Sequence, residues 1–210
     1  MSQADARFAE LIRLLMGLKR LKRTGWLDRG ASPGQVESVA DHSYLTALIA
    51  WLSALDRPDL DAGKVLRLAM VHDIAEAIVG DWPPYAGEEV PAQSDLAALQ
   101  AFFSVQHVRT PHQQAAKQAA EAVAVDRIVQ LMPDAAGAEF RDLLQEYEAR
   151  ETAESRFVKD VDTLEAYLES LEQARLSPGL PVEGFAAMAR QELTDHQLQQ
   201  IRDAAAALDP

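Results

Sequence analysis

Apolar residues recur along most of this chain at spacings of three and four, the period of a helix with one buried face. No stretch alternates apolar and polar positions in the manner of a half-buried strand. Residues 8–21 place Phe8, Leu11, Ile12, Leu15, Leu18 and Leu21 on one stripe, which predicts an amphipathic helix ended by Thr24-Gly25. Residues 28–34 then read as a loop of Gly, Ser and Pro. Ser38 with Asp41 three positions later resembles a capping box and starts a helix that runs to about Leu55. After a turn over 56–63, residues 64–79 read as one helix, stopped by Gly80-Asp81-Trp82-Pro83-Pro84. Residues 85–112 are less regular, with a short helix over 94–103 and a loop from His107 to His112. Further helices are predicted over 115–131, 138–148 and 152–176, with a final helix over 185–207. The expectation is an all-α globule of roughly seven helices, one domain spanning 1–210 with its core at about 8–176.

Composition narrows the picture. With 48% apolar and 25% charged residues the chain is ordinary for a folded domain. No apolar run approaches the roughly 20 residues of a membrane span, and residues 11–18, interrupted by Arg13, lack a secretory cleavage pattern. There is no cysteine, so a metal site must draw on His and carboxylates, and a cytoplasmic location is expected. The net charge of −13 argues against a nucleic-acid polymer as partner, because such binding neutralises phosphates with Lys and Arg. Against that background Lys19, Arg20, Lys22, Arg23 and Arg29 cluster with only Asp28 opposing them. They form either a solvated helix end or a local anion site.

The segment 66–79 carries the chemistry. Leu66, Leu68, Ala69, Met70, Val71, Ile74, Ala75, Ile78 and Val79 make it apolar nearly all round, which predicts burial. Within it sit His72, Asp73 and Glu76, spaced to crowd one side of a helix. A buried carboxylate without compensation costs several kcal/mol, so a divalent cation is an economical partner. Further ligands must come from elsewhere. His42 lies in the first turns of an otherwise apolar helix, and Asp160 and Asp162 lie on a buried one. The last two differ by about 200° around a helix, so periodicity separates them only slightly.

His42, His72-Asp73 and Asp162 together resemble the H…HD…D signature of the HD-domain superfamily of metal-dependent phosphohydrolases. The resemblance is closer to its 5′-deoxynucleotidase branch, which shows an Arg-and-Trp segment followed by three motifs in fixed order. Here these read Arg23-Thr-Gly-Trp26, Glu37-Ser-Val-Ala-Asp-His42, His72-Asp-Ile-Ala-Glu-Ala-Ile-Val-Gly-Asp81 and Val158-Lys-Asp-Val-Asp162, across about residues 10–175. The resemblance implies an all-helical fold and one divalent ion (Mn, Co, Ni, Fe, Zn or Mg) held by His42, His72, Asp73 and Asp162. It also implies Glu76 and Asp81 as catalytic carboxylates, Arg23 on the substrate phosphate and Trp26 beside the sugar or base. The bacterial members place Arg and Trp adjacent, whereas Thr24-Gly25 separates them here, so Arg29 is the substitute for Arg23. Glu121 matches a further carboxylate of the family. Residues 85–112 are longer than the family's usual linker, which suggests an insertion acting as a lid or altering substrate choice. The implied substrate is a deoxynucleoside 5′-monophosphate, and a homodimer is implied by the resemblance alone. Two alternatives stand beside this: another HD phosphohydrolase activity, on cyclic nucleotides, guanosine polyphosphates or triphosphates, and a non-catalytic helical module that keeps a metal for stability. His107, His112 and His196 read as surface histidines, Trp51 as core and Trp82 as loop packing.

Overall fold

A computed structural model describes residues 2–208, apart from the side chain of Asp134. It is all-α: α1 (Gln3–Leu15), α2 (Thr24–Asp28), α3 (Val39–Ala54), α4 (Ala62–Val71), α5 (Glu76–Val79), α6 (Leu96–Phe103), α7 (Pro111–Leu131), α8 (Asp134–Ala149), α9 (Ala153–Leu176), α10 (Glu183–Glu192) and α11 (His196–Leu208). The described residues contain no strand, only one isolated antiparallel bridge between Lys22 and Ser38. No described helix is long and apolar enough to cross a membrane.

The long helix α9 is the axis of the fold, with α3, α4, α8, α10 and α11 packed around it. Its buried residues Phe157, Val158, Val161, Leu164 and Tyr167 meet Ala47, Ala50 and Ala54 of α3 and Val65, Leu68 and Ala69 of α4. The alanines let α3 approach closely, as ridge-into-groove packing favours at small residues. A second core joins α1, α7 and α8 through Leu11, Ile128, Phe140 and Leu144. Two smaller clusters, one around Trp26 and one around Tyr85, Leu99 and Phe103, fix α2 and the segment before α7.

The helix count exceeds the rough expectation of seven: eleven helices among the described residues stand against eight predicted ranges because three elements differ. The helix expected over 64–79 breaks after Val71. The imidazole Nδ1 of His72 lies 2.7 Å from the Ala69 carbonyl, and the amides of Ile74 and Glu76 bond to carbonyls three residues back. Residues 72–75 therefore form a tightened turn between α4 and α5. Met70 and Ile78 of this segment face solvent rather than the core. The final helix expected over 185–207 is two, α10 and α11, because Asp160 accepts from the Thr194 and Asp195 amides and Asp195 caps α11. The first helix stops at Leu15, and a short α2 follows where the sequence suggested only an ending. Phe8 and Ile12 of its stripe stay about half exposed. Trp51, expected in the core, is 37% exposed because Ala47, Ala50 and Ala54 form the inner face of α3.

Candidate metal centre

Each of the converging side chains is set by a local feature of the sequence. The Ser38–Asp41 capping box is present, and it places His42 in the first turn of α3. His72 caps the C-terminus of α4, and the tightened turn after it brings Asp73 to the same side. Glu76 opens α5. Gly80, at φ 82°, occupies a region that side chains disfavour and turns Asp81 back toward α2. There Asp81 Oδ2 accepts from the Thr24 amide at 2.5 Å, and Oδ1 lies 3.5 Å from Arg23 Nη1.

Four side-chain atoms converge from α3, α9 and the α4–α5 turn. His42 Nε2 lies 3.1 Å from Asp162 Oδ1 and 3.6 Å from Asp73 Oδ2. His72 Nε2 lies 3.2 Å from Asp73 Oδ2 and 4.0 Å from Asp162 Oδ1. Ligand atoms sharing one cation at about 2.1 Å stand roughly 3.0–3.4 Å apart, which the 3.1 and 3.2 Å pairs match, and His42, His72 and Asp162 each offer a ligand atom within 4.8 Å of the others. Both imidazoles are buried, and His72 Nε2 has no hydrogen-bond partner. With Nδ1–H directed at the Ala69 carbonyl, its Nε2 lone pair faces the other three atoms. An orphaned nitrogen among carboxylate oxygens suits a divalent cation, and two nitrogens with two oxygens form a borderline donor set. Asp162 Oδ2 is occupied by Lys159 at 2.7 Å and by the Tyr147 hydroxyl at 3.2 Å, which leaves Oδ1 for the centre. Asp160 points elsewhere, into the start of α11.

The electrostatics divide the acids into two groups. Burial works against ionised Asp73, yet His72, His42 and Arg23 hold its carboxyl below the usual range. Asp162, also penalised by burial, is held low by Lys159 and by the His42 hydrogen bond. Glu76 is the opposite case: burial, then the charges of Asp73 and Asp81, push its carboxyl up to about 10. Burial and Arg23 oppose protonation of His42, but its hydrogen bonds with Asp162 and Glu165 raise it to about 10.

His72, Asp73 and Asp162 line a cavity of about 540 Å³ together with Arg23, Glu76, Asp81, Trp82, His107 and Lys117, and His42 lies behind them. Arg23 lies at the carboxylates, with Nη1 3.4 Å from Asp73 Oδ2. Arg29 is placed differently. It is buried, its guanidinium carbon 4.0 Å from the Phe103 ring centre and 4.4 Å from that of Phe185. It donates to the Pro181 and Gly25 carbonyls. Trp26 is only 2% exposed; it stacks on Phe185 and donates its indole N–H to Glu37. Glu121 bonds Lys117 at 2.8 Å. Residues 105–109 of the irregular segment line the cavity, Gln106 donates to Glu192 of α10 across it, and Arg109 donates to the Trp82 carbonyl. His107 belongs to this wall, with its ring centre 4.2 Å from that of Phe102, whereas His112 and His196 are exposed. Sequence reasoning assigned no role to Tyr147, Lys159 or Glu165. The spacing of Lys159 and Glu165, three residues either side of Asp162, was the signal available.

Comparisons with known proteins place the chain in a family. The HD domain family matches residues 15–202. The 5′-deoxynucleotidase HDDC2 of Xenopus laevis is 36% identical over 83% of this chain and 73% of its own length. Its counterpart from Mus musculus is 33% identical over 81% and 72%. Among solved structures, a protein of Pyrococcus horikoshii OT3 superposes with a TM-score of 0.67 at 29% identity, covering 95% of this chain and 99% of the other. A predicted metal-dependent phosphohydrolase of Magnetospirillum magnetotacticum MS-1 gives 0.62 at 25% identity, covering 97% and 91%. Sequence, fold and the convergence of His42, His72, Asp73 and Asp162 lead to one conclusion: this chain belongs to the HD-domain family.

Proposed function

We propose that the protein is a divalent-metal-dependent phosphohydrolase that converts deoxynucleoside 5′-monophosphates to deoxynucleosides and phosphate. The observation that carries this reading is the orphaned, buried Nε2 of His72, set among His42, Asp73 and Asp162 at the floor of a cavity large enough for a nucleotide. His42, His72, Asp73 and Asp162 would hold the ion, which supplies a Lewis acid beside the scissile phosphate. Arg23, kept charged by Asp81, Asp73 and Glu76 against the cost of burial, presents its guanidinium to the phosphate oxygens. Asp81 holds both Arg23 and the α2 backbone, so it fixes that guanidinium rather than competing for substrate. Glu76, one turn from Asp73, would carry its own proton in the metal-free state and, with the charge of Asp73 offset at the metal centre, would take a proton from the attacking water and pass one to the departing sugar oxygen. Trp26, with Phe185 behind it, forms an apolar wall next to Arg23. The close relatives named 5′-deoxynucleotidase support the monophosphate as substrate. The homodimer implied by the resemblance and the cytoplasmic setting expected from composition belong to the same reading.

A phosphate-release panel tests it, using chelator-stripped protein with single metals added back. Turnover of deoxynucleoside monophosphates above ribonucleotides, cyclic nucleotides and triphosphates is the expected result. Turnover confined to triphosphates or cyclic nucleotides would overturn the substrate. Inactivity with every metal, together with melting unaffected by chelator, would favour a non-catalytic module.

A further inference from the structure

Glu165 is buried at 1% exposure, and its Oε2 lies 2.5 Å from His42 Nδ1. It sits on α9 three residues after Asp162, so one face of one helix carries both a member of the quartet and the partner of another. With the imidazole donating its Nδ1–H to this carboxyl, the Nε2 side of His42 faces the centre. The second histidine is held differently, since His72 Nδ1 meets a neutral backbone carbonyl. The two imidazoles therefore differ in kind, one backed by a peptide dipole and one by a buried carboxylate.

Glu165 has no other evident occupation. Its Oε1 is buried without a hydrogen-bond partner. The acidic neighbour on its other side, Glu37, lies close enough that the two carboxylates and His42 fall within 4.8 Å of one another. At that range a carboxylate on Glu37 disfavours one on Glu165, so the His42 imidazole is the contact that accommodates Glu165 in the core. Glu37 is itself engaged by the Trp26 indole at 3.1 Å. A second cation on Glu37, His42 and Glu165 would have to displace the Glu165–His42 hydrogen bond and share one imidazole with the first.

We propose that Glu165 is a positioning residue for the metal centre: it fixes the tautomer and ring orientation of His42 and, through its charge, strengthens Nε2 as a donor to the divalent ion. The proposal rests on the metal site of the function proposed above, but not on turnover. Its experiment reads affinity, so an enzyme that fails on every substrate leaves it intact, and the reverse also holds.

The test is chelator competition with Mn²⁺ and Co²⁺ on the full chain, comparing wild type with Glu165→Gln. The substitution keeps volume and a hydrogen-bond acceptor while deleting the charge. Partners that orient metal-bound histidines typically contribute 10–100-fold in affinity, so a loss of about that size is expected, with the metal-free protein still folded. The same substitution in a His42→Ala background should cause no further loss, because its effect passes through that imidazole. An affinity within threefold of wild type, or an equal loss in the His42→Ala background, overturns the proposal. Should Glu165→Gln not fold, ¹H–¹⁵N NMR of the Zn²⁺-loaded wild type decides: a far-downfield, slowly exchanging proton on His42 Nδ1, distinct from that of His72, supports a strong hydrogen bond to Glu165, and an Nδ1 proton at an ordinary shift with fast exchange rejects it.

Discussion

Two arginines compete for the phosphate, and replacing Arg29 separates them. Its Nε donates to the Pro181 carbonyl at 3.0 Å and its Nη1 to the Gly25 carbonyl at 2.8 Å. Its guanidinium is enclosed by Phe103, from the segment before α7, and Phe185, from α10. Hydrogen bonds from a charged donor are worth about 1.5–3 kcal/mol each. An enclosed cation–π contact adds roughly 1–2 kcal/mol. Removing the side chain also removes the cost of burying its charge, which offsets part of the loss. A net destabilisation of about 3 kcal/mol is expected for Arg29→Met, and in a chain of this length that lowers the melting temperature by roughly 6–12 °C. Below the new transition, kcat/KM for a deoxynucleoside monophosphate should stay within a factor of about three. Thermal melting and phosphate release at 20 °C measure both quantities on one preparation. A melting temperature within 2 °C of wild type with a hundredfold loss in kcat/KM would refute the reasoning and make Arg29 the phosphate ligand.

Arg23→Met should do the reverse, keeping melting near wild type while kcat/KM falls by about 10²–10³, the usual consequence of losing one charged donor at the reacting group. Glu76→Gln should retain one metal per chain, measured by elemental analysis, and lose turnover by about 10²–10⁴; concurrent loss of the metal would show that Glu76 is a ligand. The pH dependence of metal-free melting follows from the same carboxyl. A carboxyl raised to about 10 in the fold keeps a proton that the unfolded chain gives up near pH 4.5, so stability falls as pH rises between those values. Glu37, raised to about 8 by burial and Glu165, acts in the same direction over a narrower window. Metal-free protein should therefore melt lower at pH 9 than at pH 6, and Glu76→Gln should flatten that slope. An unchanged slope would show that Glu76 is ionised throughout. Asp160→Ala should destabilise by about 1–3 kcal/mol through the lost hydrogen bonds from the Thr194 and Asp195 amides ahead of α11, with activity retained; loss of metal instead would place Asp160 at the centre.

The elements that proved legible were those written in local chemistry. The Ser38–Asp41 box marks where α3 begins, and Gly80 with the following prolines marks where α5 ends. The break after Val71 was not legible, because it depends on the His72 ring reaching the Ala69 carbonyl, an interaction that apolar periodicity does not encode. Asp160 and Asp162 looked nearly equivalent because both lie on the central helix. What distinguishes them is tertiary: α11 starts against one, while Lys159 and Tyr147 hold the other toward the histidines. Trp51 misled through residue type alone, since α3 buries its alanines and leaves the indole outside. Arg29 belonged to a basic cluster by sequence and became a strut between three segments once Phe103 and Phe185 had folded around it.

The central claim is that His42, His72, Asp73 and Asp162 hold one divalent ion on which deoxynucleotide hydrolysis depends. Titration of Mn²⁺ into chelator-stripped protein, followed by calorimetry and by phosphate release from a deoxynucleoside 5′-monophosphate in the same samples, tests it most directly. The account predicts activity that rises in step with occupancy to one ion per chain, and, in His72→Ala, sharply weakened metal binding with turnover lost. Full turnover in the stripped wild type, or undiminished metal binding by His72→Ala, would contradict it.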